Sequence, residues 1–155
     1  MPDDPAFTDL TKYRRRLPHW RLDGATYFIT FRLASGEFSA GEIRIVRDHI
    51  VAGHGRFYDL IAVVVMPDHA HAILRPRDGF DLARITKGIK GVSARLVNLA
   101  RGRTGRLWQD ESWDRVVRDQ AELDGELEYM LDNPVRRGLT EDPWAWPGWW
   151  YAGTV

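Results

Sequence analysis

Leu60-Ile61-Ala62-Val63-Val64-Val65-Met66-Pro67-Asp68-His69-Ala70-His71-Ala72-Ile73-Leu74 is the stretch from which the rest of the chain can be read. Aliphatic and β-branched residues lead into Pro-Asp and a second apolar run follows, which predicts two strands joined by a tight turn. Side chains of a strand alternate between faces. His69 and His71 therefore share one face while Ala70 and Ala72 turn to the other. Two neutral imidazoles side by side are half of a divalent-metal site. Taken alone, the pair reads equally as one ordinary half-buried histidine and a coincidental second.

The best supplier of a third donor lies far downstream, in Asp119-Gln-Ala-Glu122-Leu123-Asp-Gly-Glu126-Leu127-Glu128-Tyr129-Met130-Leu131-Asp132-Asn133-Pro134. Asp119 with Glu122 three residues on is a capping-box pattern, and Pro134 marks the expected helix stop. Leu123, Leu127, Met130 and Leu131 recur at helical spacing and form the expected buried stripe. Tyr129 and Asn133, four apart, project one turn above each other. A tyrosine hydroxyl is a competent covalent nucleophile where a metal polarises its electrophile. On local grounds alone Tyr129 also reads as a packing aromatic, and Asn133 as a C-terminal cap before a proline.

Met66-Pro-Asp-His69-Ala-His71, followed by Tyr129-Met-Leu-Asp-Asn133-Pro134-Val135-Arg-Arg-Gly138-Leu139, resembles the single-tyrosine HUH transposases, and within them the REP-associated tyrosine transposases. Arg16-Leu17-Pro18-His19-Trp20, Tyr27-Phe28-Ile29-Thr30-Phe31-Arg32, Lys87 to Arg95 and Leu107 to Arg118 extend the likeness, which runs from about Tyr13 to about Trp150. The resemblance implies a ferredoxin-like HUH fold. It also implies a divalent metal, magnesium or manganese, held by His69, His71 and Asn133. Tyr129 would attack a phosphodiester of single-stranded DNA, keep the 5′ side as a phosphotyrosine and release a 3′-hydroxyl. Recognition of a hairpin beside the cut site is implied by the likeness alone.

Composition bounds the remaining possibilities. The 155 residues, 44% hydrophobic and 28% charged, suit one domain with a substantial core, carrying a basic arm at about 10–22 and an aromatic tail at about 143–155. No apolar run approaches a membrane span and the N-terminus lacks a signal-peptide pattern, so a cytoplasmic protein is expected. With no cysteine, a metal would need nitrogen and oxygen ligands. The formal net charge of zero hides an asymmetry. Between Leu10 and Leu22 the only charges are Lys12, Arg14, Arg15, Arg16 and Arg21. Between Leu82 and Gln109 they are Arg84, Lys87, Lys90, Arg95, Arg101, Arg103 and Arg106, and acids cluster between Asp110 and Asp132. Such a distribution suits DNA binding through Arg14, Arg15, Arg16, Arg84, Lys87, Lys90, Arg101, Arg103 and Arg106, although solvated faces of ordinary elements would look the same.

Thr26 to Leu33 reads as a first strand with Tyr27, Ile29, Phe31 and Leu33 toward the core. Ser39 to about Gly53 reads as a helix capped by Ser39 and Glu42, with His49 and His54 as ordinary polar residues near its end. Asp81 caps a long helix whose expected core stripe is Leu82, Ile85, Ile89, Val92, Leu96 and Leu99. Gly88 and Gly91 in that helix suggest close approach of a backbone or of DNA. Leu107 to Gln109 and Ser112 to Val117 read as strands, and Gln109, Glu111 and Asp114 as possible support for the site. The aromatic tail from Pro143 to Tyr151 is expected to pack on the sheet, with base stacking as its other reading. The expected architecture is α+β with a mainly antiparallel central sheet flanked by helices. The expected function is a metal-dependent single-stranded DNA endonuclease and strand transferase, monomer or homodimer. A catalytically silent binder of single-stranded or hairpin DNA is the alternative, and a metal-dependent hydrolase of small substrates a third reading.

Overall fold

The computed structural model describes residues 25–153. The basic arm that includes Arg14, Arg15 and Arg16 lies outside them. The elements are β1 (Tyr27–Arg32), α1 (Ala40–Ala52), β2 (Tyr58–Val65), β3 (His69–Pro76), α2 (Leu82–Arg101), β4 (Trp113–Val116), α3 (Gln120–Arg136), a 3₁₀ turn (Pro143–Ala145) and β5 (Trp149–Tyr151). The sheet runs β4-β1-β3-β2-β5, with every pairing antiparallel. Its βαββαβ part in the order 4-1-3-2 is ferredoxin-like.

Helices cover both faces of the sheet. On one, Ile43, Val46 and Ile50 of α1 and Ile85, Ile89 and Val97 of α2 pack on Ile29, Phe31, Val63, Val65, Ala70, Ala72 and Leu74. On the other, Leu123, Leu127, Met130 and Leu131 of α3 pack on Phe28, Ala62, Val64 and Ile73. The expected inward set of β1 is therefore only half of what is buried. Ile29, Phe31 and Leu33 lie inside, and so do Phe28 and Thr30 on the α3 side. A register shift between Leu60 and Ala62 sends both Ile61 and Ala62 toward α3.

Local signals at helix starts are realised in atomic detail. Ser39 and Glu42 form a complete capping box, Asp81 accepts the Arg84 N–H, and Asp119 accepts the Glu122 N–H. Three expectations need correction. Leu96 and Leu99 lie outside the core, Leu99 being 78% exposed. The buried line of α2 is Ile85, Ile89, Ser93 and Val97, because Ser93 turns inward to accept the indole N–H of Trp108. Pro134 does not stop α3, which continues to Arg136. Arg137, Gly138 and Leu139 close that end onto the carbonyls of Asn133, Val135 and Pro134, with Gly138 in the left-handed region at φ 72°. Leu107 to Gln109 forms no full strand, only a bridge between Leu33 and Trp108.

The aromatic tail packs back as expected. β5 pairs with β2, Trp149 and Tyr151 are buried against α3's core, and Trp146 donates its indole N–H to the Val65 carbonyl.

Candidate active site

β3 delivers both histidines to the α3 face, where β1 lies alongside with Thr30 opposite His71 and Arg32 opposite His69. Each imidazole is oriented through Nδ1. His69 Nδ1 is 2.7 Å from Asp68 Oδ1, and since a carboxylate only accepts, Nδ1 carries the proton and Nε2 the lone pair. His71 Nδ1 is 2.9 Å from Thr30 Oγ1, and the tautomer that donates from Nδ1 leaves its Nε2 lone pair available as well. The two rings stand 4.8 Å apart, centre to centre. Asp68 also receives Arg137 at 3.1 Å, tying the β2–β3 turn to the end of α3.

α3 contributes the other two residues. The Tyr129 ring lies edge-on to His71 at 5.9 Å, with the Arg136 guanidinium 4.6 Å from its centre, and the residue is 43% exposed. Asn133 is not the cap of α3. It lies buried within the helix, its amide 3.5 Å from His69 Nε2 and its Oδ1 receiving Arg136 at 3.3 Å. A half-turn of a carboxamide exchanges its oxygen and nitrogen almost isosterically. Among the described residues no three His, Asp or Glu side chains converge as metal ligands. With the Asn133 carboxamide turned to bring its oxygen toward His69, two imidazole nitrogens and one amide oxygen would fit a divalent cation whose remaining positions are taken by water or phosphate oxygens.

The electrostatics favour neutral imidazoles and an anionic ligand. Burial pushes His71 down to about 3, with His69, Arg32, Arg136 and Arg115 adding positive potential. Burial also lowers His69, partly offset by Asp68. Burial raises the Asp68 carboxyl, but its bonds to His69 and Arg137 outweigh this and hold it below its ordinary value. Glu126, beneath this face on α3, is raised to about 7 by burial. Arg115 lies 2.7 Å from one of its oxygens, but neither oxygen receives an aligned hydrogen bond.

The remaining candidates sit elsewhere. Lys87, Lys90, Arg106, Gln109 and Asp114 line a groove of about 780 Å³ between α2 and residues 105–114. Asp114 pairs with Ile29, so it faces the α2 side of the sheet, away from the histidines. Lys90 spans the groove to the Gln109 and Asp110 carbonyls, and Gln109 holds the backbone of Arg32 and Leu33. Arg101 is committed to Glu42 through two bonds of 2.7 and 3.1 Å. Arg106 pairs with Asp110, Arg84 lies over Phe80, and Arg103 and Glu111 are exposed. Thr30, Asp68, Arg32, Arg115 and Arg136 were not singled out as site residues from the sequence, although all of them fall inside motifs that were. Their parity on β1 was visible, but the register that places Thr30 against His71 was not.

The chain is similar in sequence and in fold to several known proteins. Residues 51–117, which include both histidines, match the family described as "Transposase IS200 like". A REP-associated tyrosine transposase of Escherichia coli K12 is 24% identical over 142 residues, covering 89% of this chain and 81% of that protein. A "Putative REP-associated tyrosine transposase" of Haemophilus influenzae is 26% identical over 100 residues, 58% of this chain and 57% of that protein's length. A solved REP-associated tyrosine transposase bound to a REP hairpin superposes with a TM-score of 0.67 at 23% identity, covering 86% of this chain and 80% of that one. The fold is thus the α+β architecture of that structure, an antiparallel five-stranded sheet flanked by helices. By sequence and by fold, the chain is similar to the REP-associated tyrosine transposases.

Proposed function

We propose that this chain is a metal-dependent, site-specific single-stranded DNA endonuclease and strand transferase acting on hairpin-flanked repeat DNA. The observation that carries the reading is the meeting, on one sheet face, of two buried imidazoles oriented through Nδ1 with the exposed phenol of Tyr129. Tyr129 Oη forms a bond to phosphorus while the bond from phosphorus to the 3′-oxygen breaks in line. The phenol proton is lost, the 3′-oxygen leaves as a hydroxyl, and the 5′ side stays on the enzyme. Reversal of the same displacement rejoins strands. His69, His71 and Asn133 would hold magnesium or manganese, which polarises a non-bridging phosphate oxygen and stabilises charge in the transition state. Arg136 holds the Tyr129 ring, and Arg32, Arg115 and Arg136 make the site attractive to a phosphate.

The hairpin enters through likeness to the hairpin-bound relative. Its phosphates are assigned to Arg84, Lys87, Arg103 and Arg106, together with the arm carrying Arg14, Arg15 and Arg16. Labelled oligonucleotides from repeats flanking the gene, run on denaturing gels with Mg²⁺, Mn²⁺ or chelator, test the reading. The expected result is a metal-dependent covalent adduct on the fragment 3′ of the cut, absent in Tyr129→Phe. DNA binding with no adduct under any metal would replace the nuclease by a binding protein.

A further inference from the structure

β4 is the edge of the sheet, and its alternation places Trp113 opposite Thr30 and Arg115 opposite Phe28, on the face that carries His69 and His71. Trp113 is 46% exposed although it belongs to the largest side-chain type. The Arg32 guanidinium stands 5.8 Å from the centre of its indole ring, and Arg32 itself lies opposite His69 on the neighbouring strand. Arg115 continues the ledge, lying over Phe28, which in turn touches the His71 ring at 5.1 Å. An open π-face held beside exposed guanidinium groups, next to the reacting centre, matches one ligand chemistry: an unpaired nucleobase with its phosphate.

From this geometry we infer that Trp113 stacks a base flanking the scissile phosphate, with Arg32 binding that nucleotide's phosphate, so that the ledge on β4 and β1 sets where the strand is cut. Trp113 is a positioning residue, and the inference rests on the nuclease reading above. The test couples protein and DNA changes. Adduct formation is measured for wild type, Trp113→Ala and Trp113→Phe on oligonucleotides carrying a single abasic residue at each position around the cut.

In wild type, one flanking abasic position should lower kcat/KM about ten-fold, the usual scale of one base stacked on an aromatic ring. Trp113→Ala should show a similar loss on intact DNA and no further loss at that one position. Trp113→Phe should retain most of the wild-type rate. Thermal melting close to wild type shows that the exposed position is not needed for folding. Losses that multiply at every abasic position, or a Trp113→Ala protein that cuts at the wild-type rate, would overturn the ledge and leave the nuclease intact. A wild type that forms no adduct on any oligonucleotide would overturn both.

Discussion

Thr30 and Asp68 do for the histidines what neither histidine does for itself. A free imidazole divides its proton between two nitrogens and rotates. Here Nδ1 of each ring is engaged at 2.9 Å and 2.7 Å, so the ring plane and the presented nitrogen are set before any ion arrives. Partners of this kind usually contribute ten- to a hundred-fold to metal affinity. Thr30→Val keeps the shape and removes the oxygen, so Mn²⁺ affinity measured by calorimetry should fall by about that factor with little change in melting temperature. Glu126 gives a second test at this scale. Its folded pKa of about 7 lies above the ordinary carboxylate value, so the fold prefers the neutral acid. Its contribution to stability is complete below about pH 4.5 and is lost as pH rises through 7. Glu126→Gln should therefore match wild type in chemical denaturation at pH 4 and exceed it by about 2–3 kcal/mol at pH 8. The parity of His69 and His71 was legible because alternation on a strand is local. Thr30 as the partner of His71 was not, since forty-one positions separate them and only the register of β1 on β3 joins them.

At the scale of elements, the starts of helices were legible and their faces less so. Ser39, Asp81 and Asp119 each act within three residues, which is the range over which sequence alone carries information. The stripe of α2 was misread because Leu96 and Leu99 satisfy helical spacing as well as Ser93 and Val97 do. What decides is the buried hydrogen bond from Trp108 to Ser93, which rotates the helix about its axis. Pro134 does not act as a stop, although a proline loses its own N–H and crowds the carbonyl four residues back, because it sits only two residues before the helix ends at Arg136. The carbonyls around it still find Arg137, Gly138 and Leu139, and the helix carries Asn133 past the point where a cap was expected. Gly88 and Gly91 are open: a Cβ at either would meet nothing within 4 Å. Among the described residues no backbone approaches them, which leaves close approach of DNA as the reason for these glycines. Alanine at either position should raise stability by about 1 kcal/mol, seen as roughly 2–4 °C in melting temperature. A drop in DNA affinity alongside that gain would mark the bare backbone of α2 as a nucleic-acid contact.

Across the whole molecule, the chemistry and the basic groove occupy opposite faces of one sheet. The sheet is thin, and β4 with residues 105–114 forms the margin around which a strand would pass from α2 to Tyr129. Under the proposed function, this arrangement would let a chain of zero formal net charge hold a polyanion. Asp68 is paired with Arg137 and Asp132 with Arg136, and Arg101 is spent on Glu42, so the binding would fall to exposed cations such as Arg84, Lys87 and Arg103. The sum of charges was visible in the sequence, but which cations are already partnered was not. Lys87 and Lys90 separate the two cases. Lys87 is exposed, while Lys90 donates to two carbonyls across the groove. For a single strand each neutralised phosphate adds about 0.7 to the slope of log affinity against log salt. Lys87→Ala should make that slope shallower by about this amount and leave the melting temperature unchanged. Lys90→Ala should lower the melting temperature by letting residues 109–110 loosen, with a smaller change in slope. If the Lys87→Ala slope equals wild type, the strand does not run along α2. The phosphate track would then have to be sought on the α3 face alone, beside Arg32 and Arg115.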